Sequence, residues 1–293
     1  NEEALTILGL LLKNNKRAKL IQSLDGFKLY NLVEVRAFLK AIDRNLNSPV
    51  ISSDIWENAK RELFAGYGNS ACIENVKRLI SDFETTRRVK YRSDFEEFLK
   101  ESNYEDFYDN QDKELIYVST IHKSKGREFD NVYMMLKNTQ GETDAEKRAL
   151  YVGITRAKSN LYIHTNTALF DRYNSDSITH ISDDSEYGEP TGIILQTTHK
   201  DVFLDFFLDK KQLIFNLRSG TKLNIRNSYL SATINDRDVT VAKFSSDFTG
   251  TLESLKRKGY AIKSAEVRFI VAWKKQGDTE EIPIILMNIY LEK

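Results

Sequence analysis

The chain has 293 residues and carries 43 basic and 43 acidic side chains, so its formal net charge is zero. This length predicts two domains, and 41% hydrophobic residues with only 3 prolines are typical of a globular protein, not of a disordered or collagen-like one. The longest largely apolar run, residues 5–12, is shorter than the roughly 18 residues of a membrane-spanning helix, so no membrane partner is expected. The single cysteine, Cys72, excludes an internal disulfide and a cysteine-rich metal cluster, and favours a reducing, cytoplasmic location.

Charge is distributed unevenly along the chain. Residues 113–182 carry 10 basic and 8 acidic side chains, whereas the segments before and after them carry 17 against 19 and 16 against 16. Within the middle segment Lys123, Lys125 and Arg127 lie together, with no acidic residue before Glu128. Because a neutral chain has no overall attraction for nucleic acid, any such partner is predicted to bind locally.

The first third of the chain has a helical pattern. A helix is predicted over residues 4–17 and a short buried strand over 18–24, and from 32 to about 108 apolar residues recur at helical spacing. Loops are predicted at 47–49 and 66–69. Asn1 is placed as the N-cap of the first helix, from which we expect the chain to be part of a longer polypeptide.

The middle third alternates strands with a helix. Residues 115–121 and 131–136 are rich in β-formers and flank a Ser-Lys-Gly loop, residues 144–157 have helical spacing, and 161–165 follow as a strand. This order of strand, loop, strand, helix and strand predicts an α/β domain with a parallel sheet.

The last third begins after a polar, acidic stretch and consists of short alternating runs. Strands are predicted over 202–208, 213–217, 222–226, 239–244, 265–273 and 282–291, with turns near Gly220 and Gln276 and one helix around Phe248, Leu252 and Leu255. We therefore expect an α/β domain over residues 1–182 with a helical insertion at about 32–112. A linker over 183–192 and a small β-barrel or half-barrel over 193–293, with its own core, should follow.

Two motifs carry the chemical information. Residues 117–133 read Tyr-Val-Ser-Thr-Ile-His-Lys-Ser-Lys-Gly-Arg-Glu-Phe-Asp-Asn-Val-Tyr, and residues 146–158 read Glu-Lys-Arg-Ala-Leu-Tyr-Val-Gly-Ile-Thr-Arg-Ala-Lys. They resemble the last two signature motifs of superfamily-one helicases of the UvrD/Rep type. The resemblance implies the second RecA-like lobe of a helicase, with the parallel sheet of the P-loop NTPase fold.

By this resemblance, one set of residues faces ATP. Arg156 resembles an arginine finger that stabilises charge on the γ-phosphate. Glu128 resembles a carboxylate that binds the ribose, and Gly126 permits the turn that places Glu128. The alternatives are an arginine in a helix-end ion pair and a plain loop carboxylate.

A second set of residues resembles the part of the family that touches the DNA backbone: Thr120, His122, Ser124 and Lys125. Hydroxyl and basic groups suit phosphate contacts that are independent of base sequence. His122 has the alternative of a hydrogen-bonded interior histidine. Arg127 departs from the leucine usual in the family, and either adds a phosphate contact or leaves the loop more exposed.

The sequence lacks other parts that ATP hydrolysis requires. It contains no Gly-x-x-x-x-Gly-Lys-Ser/Thr loop and no Asp-Glu pair for magnesium, and we predict no metal site within it. The resemblance implies that ATP with magnesium is held mainly by an upstream RecA-like lobe of the same polypeptide, and that this chain alone is inactive.

Two further groups of side chains are candidates for DNA contact. Around Tyr91 they are Arg87, Arg88, Lys90 and Arg92, for which a solvated helix face is the alternative. In the last third, residues 259–273 resemble DNA-end-binding modules of the HIRAN type, and Tyr260, Phe269 and Trp273 either stack on bases or pack in a core.

The resulting hypothesis is the C-terminal part of an ATP-dependent DNA helicase or translocase acting on single-stranded or partly duplex DNA, in a bacterial cytoplasm near the nucleoid. One alternative is a composite enzyme whose lobes belong to another helicase or to a nuclease polypeptide. Another is a non-enzymatic DNA-binding or partner-docking module with the same fold.

Overall fold

The computed structural model describes residues 2–21, 24, 26–44, 48–107, 114–185, 190–274, 277 and 280–293. The predicted N-cap Asn1, parts of the predicted loops at 47–49 and around Gln276, and part of the predicted linker lie outside these residues. No helix within the described ranges is long and apolar enough to span a bilayer.

The helices in this part of the chain are α1 (Glu2–Lys13), α2 (Val33–Asp43), α3 (Ser53–Tyr67), α4 (Ile73–Thr86), α5 (Arg92–Glu101), α6 (Asp144–Ile154), α7 (Lys211–Phe215) and α8 (Ser246–Arg257). The strands are β1 (Ala18–Leu20), β2 (Val50–Ile51), β3 (Lys90–Tyr91), β4 (Ile116–Val118), β5 (Phe129–Leu136), β6 (Ala157–Thr165), β7 (Gly192–Gln196), β8 (Lys222–Arg226), β9 (Tyr229–Ile234), β10 (Arg237–Lys243), β11 (Ala261–Lys274) and β12 (Glu281–Glu292).

Four strands are parallel. β1 pairs with β4, and β5 pairs with β6, but no ladder joins the two pairs among the described residues. The predicted α/β order is thus present as two parallel pairs instead of one continuous sheet. Helix α6 ends at Ile154, before the predicted limit of 157. Thr155 Oγ1 lies within hydrogen-bond distance of the carbonyl oxygens of Tyr151 and Val152, so a side chain satisfies the last turn and β6 begins at once.

Helices α2 to α5 lie within the range of the predicted insertion and enclose an aromatic cluster. The rings of Phe38 and Trp56 meet edge to face with centroids 4.9 Å apart, and those of Phe83 and Phe95 with centroids 4.8 Å apart. All four side chains are buried. Aromatic pairs in this arrangement add to the stabilisation that burial provides.

The C-terminal strands form an antiparallel sheet in the order β10-β9-β8-β11-β12-β7. Among the described residues the sheet is open, with β10 and β7 at its edges. Of the two predicted forms, barrel or half-barrel, the closed barrel is therefore wrong. Two predicted strands are also wrong, because residues 204–210 form a 3₁₀-helix and 211–215 form α7. In the two predicted runs the buried side chains are Val202 and Phe207, five residues apart, and Ile214 and Leu217, three residues apart, so burial does not alternate.

The insertion and this sheet share one hydrophobic core. Leu32 forms a β-bridge with Val271, and the carboxyl Oε1 of buried Glu34 on α2 accepts hydrogen bonds from Ser70 Oγ and, at 3.4 Å, from Ser219 Oγ. The separate cores predicted for residues 1–182 and 192–293 are therefore wrong. A sheet with an apolar face requires a covering layer, and here the insertion provides it.

A smaller core joins the parallel pair β1 and β4 to the edge of the C-terminal sheet. It contains Leu5 and Leu8 of α1, Leu20 of β1, Val118 of β4 and Ile194 of β7. A Cβ atom on Gly9 would lie only 3.1 Å from the carbonyl oxygen of Gly192. Glycine therefore allows α1 to lie close against β7, and α1 also packs on β1 and β4.

Candidate functional site

The first motif forms a loop between β4 and β5, here called the motif loop (residues 119–128). Thr120 precedes a 3₁₀-helix over Ile121–Ser124, and Lys123 N donates to Thr120 O at 3.0 Å. The hydroxyl of Ser124 donates to Ile121 O at 2.7 Å, and Ser124 is buried. Of the four predicted DNA contacts, Ser124 is thus the one whose hydroxyl is used inside the loop.

The other predicted DNA contacts reach the surface. His122 and Lys125 are exposed, and Thr120 is partly exposed. The interpretation of His122 as an interior histidine is therefore wrong. An imidazole, an ammonium and a hydroxyl group within one short loop present hydrogen-bond donors to solvent, as a phosphate contact requires.

The second half of the motif loop turns inward. Gly126 has a φ of 80°, a conformation that favours glycine, and the next residue, Arg127, is only 8% exposed. The expectation that Arg127 exposes this loop is wrong, and a guanidinium this buried has little surface to offer a phosphate.

Burial raises the pKa of Glu105, at the end of the insertion, while the positive charges of Lys123 and Arg127 oppose that rise. The end of the insertion is thus electrostatically linked to the motif loop.

Arg156 lies directly after α6, and its guanidinium is held from three sides. Nε donates to Val152 O at 2.8 Å, Nη1 to Arg127 O at 2.9 Å, and Nη2 to Thr155 Oγ1 at 2.9 Å. No carboxylate forms an ion pair with it in the part of the chain that the structure describes, so the helix-end ion pair is wrong. Since a guanidinium has five N–H groups, two remain for another acceptor.

The two motifs form one structural unit. Phe129 N donates to Arg156 O at 2.8 Å, so the start of β5 is bonded to the residue before β6. A Cβ atom on Gly153 would lie 2.6 Å from Met134 Cε, and Gly153 therefore lets α6 lie close to β5. The sequence does not predict that the Arg127 carbonyl accepts a hydrogen bond from Arg156. Every residue has a backbone carbonyl, and the residue types do not indicate its direction.

Glu128 lies on the surface beside β6. Its side chain is 61% exposed and its Oε2 lies 3.7 Å from Lys158 Nζ. Exposed ion pairs of this kind contribute little to stability, so the carboxylate is available to a ligand. Its assignment to ribose stays a prediction.

Most of the remaining candidates have structural partners, whereas Arg87 and Arg88 are exposed. Phe269 and Tyr260 are buried and Trp273 packs against the same core, so the core interpretation of these residues is confirmed. Arg92 Nε donates to Asp43 Oδ1 at 2.6 Å, and Lys90 Nζ lies 5.5 Å from the centre of the Trp56 ring. Within the described ranges no group of three or more His, Cys, Asp and Glu side chains is arranged to hold a metal ion.

Comparison with known families agrees with the motifs. The family model of the UvrD-like helicase C-terminal domain matches residues 14–168, which is more than half of the chain, and the chain belongs to this family. Membership implies a helicase-type enzyme in the full-length protein, with DNA as its partner. No curated protein and no solved structure matches the chain, and the HIRAN-like character of residues 259–273 stays a prediction.

Proposed function

We propose that this chain provides the second motor lobe of an ATP-dependent DNA helicase or translocase. The observation that carries the proposal is the hydrogen bond from Arg156 Nη1 to Arg127 O at 2.9 Å. It joins the residue proposed to sense ATP to the loop proposed to hold DNA. A motor needs such a link, because ATP hydrolysis at one site has to alter the binding of DNA at the other.

On the nucleotide side, Arg156 supplies positive charge. Its three internal hydrogen bonds fix the orientation of the guanidinium, and its two remaining N–H groups suit the oxygens of a γ-phosphate. A donor already held in place stabilises a developing charge without reorganising during the reaction. The exposed carboxylate of Glu128 suits the hydroxyls of a ribose.

The other nucleotide ligands belong to a different lobe in this proposal. The sequence has no phosphate-binding loop, and the described residues include no group arranged for a metal. Magnesium held by that lobe would supply neutralisation of phosphate charge. This chain would therefore contribute Arg156 and Glu128 to a site completed by an upstream RecA-like lobe of the same polypeptide.

On the DNA side, Thr120, His122 and Lys125 present a hydroxyl, an imidazole and an ammonium group at the surface. These groups suit the phosphate backbone of single-stranded or partly duplex DNA and read no base. A contact common to all nucleotides is what a protein moving along arbitrary sequence requires.

The test is ATP turnover in the intact protein with Arg156→Ala. We expect turnover to fall by roughly 10²- to 10⁴-fold, since the variant cannot stabilise the transition-state charge, with DNA affinity nearly unchanged. Arg148→Ala, an exposed arginine on α6, is the control and should retain full turnover. Unchanged turnover in Arg156→Ala would show that Arg156 is not the arginine finger, whereas absence of DNA-stimulated turnover in the intact parent protein would favour the non-enzymatic module. The 293-residue chain alone should show no DNA-stimulated hydrolysis.

A further inference from the structure

A large groove follows the outer face of α2. Its volume is about 1010 Å³, and its walls come from α5 on one side and from α7 on the other. A second cavity of about 460 Å³ continues it along α2 towards α3, sharing Lys40 and Arg44 with the first. We call this feature the α2 groove. Because its walls belong to both the insertion and the C-terminal sheet domain, it exists only when the two are packed together.

Basic side chains form a stripe along the floor of the α2 groove. Arg36 and Lys40 on α2 and Arg44 at its C-cap recur every four residues, so successive members lie about 6 Å apart along the helix axis. Lys100 adds a fourth positive charge from α5.

The acidic side chains near the stripe are already neutralised. Arg92 lies 2.6 Å from Asp43 and 3.0 Å from Glu96, Arg44 lies 2.6 Å from Glu62, and Arg36 forms an ion pair with Glu281. Arg36 and Arg44 are therefore neutralised as well. Lys40 and Lys100 are exposed and form no ion pair with any residue that the structure describes. These two ammonium groups are therefore available to an anionic ligand.

Aromatic rings border the same groove. Tyr30 is 37% exposed and Phe215, on α7, is 44% exposed. Exposed rings beside a row of cations are the arrangement on which single-stranded nucleic acid binds, with bases stacked on the rings and phosphates on the cations. An acidic peptide without aromatic side chains would match the cations but would gain less from the rings.

We propose that the α2 groove is a second binding site for single-stranded DNA. Lys40 and Lys100 bind phosphates, while Tyr30 and Phe215 stack on bases. The choice of DNA as the occupant rests on the proposed function, since a helicase lobe works on that polymer. The site lies on different elements from the motif loop and gives the chain a second point of contact with the strand.

The test is the affinity of the full chain for a fluorescently labelled oligothymidylate, measured by anisotropy at several salt concentrations. We expect the double variant Lys40→Glu/Lys100→Glu to bind at least 10-fold more weakly. The slope of its salt dependence should fall by roughly 0.7 for each phosphate that the variant no longer binds. The control is Lys256→Glu/Lys258→Glu at the end of α8, where both lysines are exposed. It changes the net charge equally and should bind like the parent chain.

A photo-crosslink gives a readout that needs no variant. An oligonucleotide carrying 5-bromodeoxyuridine should crosslink to the peptides containing Tyr30 and Phe215, as mapped by mass spectrometry. Crosslinks confined to residues 119–128, unchanged affinity in the groove variant, or equal competition by polyglutamate would each overturn the site, the last in favour of an acidic protein partner. None of these outcomes bears on ATP turnover in Arg156→Ala, so the proposed function is tested independently.

Discussion

The rings of Tyr104 and Phe269 meet edge to face with centroids 5.0 Å apart. Tyr104 lies at the end of the helical insertion and Phe269 in the centre of β11, and both are buried. This contact joins two parts of the chain that the sequence alone would place in different domains. The insertion lies between β1 and β4 in the sequence, and residues from the last third of the chain contribute to its hydrophobic core.

The contact should be energetically coupled. We expect Tyr104→Ala and Phe269→Ala each to lower the free energy of unfolding by about 3 to 5 kcal/mol. The double variant should lose about 0.5 to 1.5 kcal/mol less free energy of unfolding than the sum of the two single losses. Urea denaturation of the three variants measures this difference. Phe248→Ala, whose ring contacts Phe244 instead, is the control partner for Tyr104→Ala and should be additive. Additivity of the Tyr104 and Phe269 variants would contradict the shared core.

Proteolysis should cut the chain between the parallel strands and the C-terminal sheet without separating the two pieces. Residues 174–185 are exposed, with Ile181 at 85%, and we expect a protease to cut there. Because the insertion and the sheet share a core, the two pieces should still elute together in size-exclusion chromatography and part only in denaturant. Separate elution under native conditions would mean that the C-terminal sheet is an independent domain.

Lys125 should contribute to DNA binding through charge. Lys125→Ala in the intact protein is expected to weaken binding of single-stranded DNA and to lower the slope of its salt dependence by roughly 0.7, the share of one phosphate. Base preference should stay absent. Lys137→Ala, another exposed lysine of the same segment, is the control. If both variants bind alike, the motif loop is not the DNA contact.

One substitution, glycine to alanine, should have opposite effects at two positions. Gly126 has a φ of 80°, so Gly126→Ala should lower the free energy of unfolding by about 1 to 2 kcal/mol. Gly250 lies inside α8 with open space around its Cβ position, so Gly250→Ala should raise it by about 0.5 to 1 kcal/mol. Thermal unfolding of the two variants measures both, and a stabilised Gly126→Ala would show that the motif loop adopts another conformation.

Glu34 should make stability depend on pH. Burial raises the pKa of this carboxyl, against the hydrogen bonds from Ser70 and Ser219 and the charge of Arg218. The folded state therefore holds the proton more tightly than the unfolded chain does. Stability from this group is fully present below its unfolded pKa and is lost as pH rises through the folded pKa.

Glu34→Gln should remove that dependence. Relative to the parent, we expect the free energy of unfolding of the variant to increase between pH 5 and pH 8, as measured by urea denaturation at both values. Glu97→Gln, an exposed residue of α5, is the control and should follow the parent at both pH values. A constant difference between Glu34→Gln and the parent would mean that Glu34 ionises alike in the folded and unfolded states.

Local patterns predicted local structure well. The run at 131–136 is β5, the helix after it is α6, and Gly259 has a φ of 91° just beyond α8. In each case neighbouring residues decide the conformation. The sequence pattern does not predict strand β9. Its buried positions are consecutive and two of them are small, so no alternating pattern results; these positions are Leu230, Ser231 and Ala232.

What the sequence could not predict is which surfaces meet. Helical spacing indicates that one face of α2 is buried, but not that part of it lies against β11. The same limit applies to the site: the motifs identify Ser124 and Arg156, yet the inward hydroxyl and the carbonyl acceptor at Arg127 depend on the assembled backbone. These relationships are long-range, and periodicity reports only local ones.

The bridge between Leu32 and Val271 also sets an order of events during protein synthesis. At about 5 to 20 residues per second, a ribosome takes roughly 10 to 50 s to travel from one residue to the other. During the later part of that interval the insertion has been synthesised, while the sheet that covers it has not. Nascent chains therefore expose the apolar surface of the insertion to chaperones, and native packing waits until translation reaches the C-terminal strands.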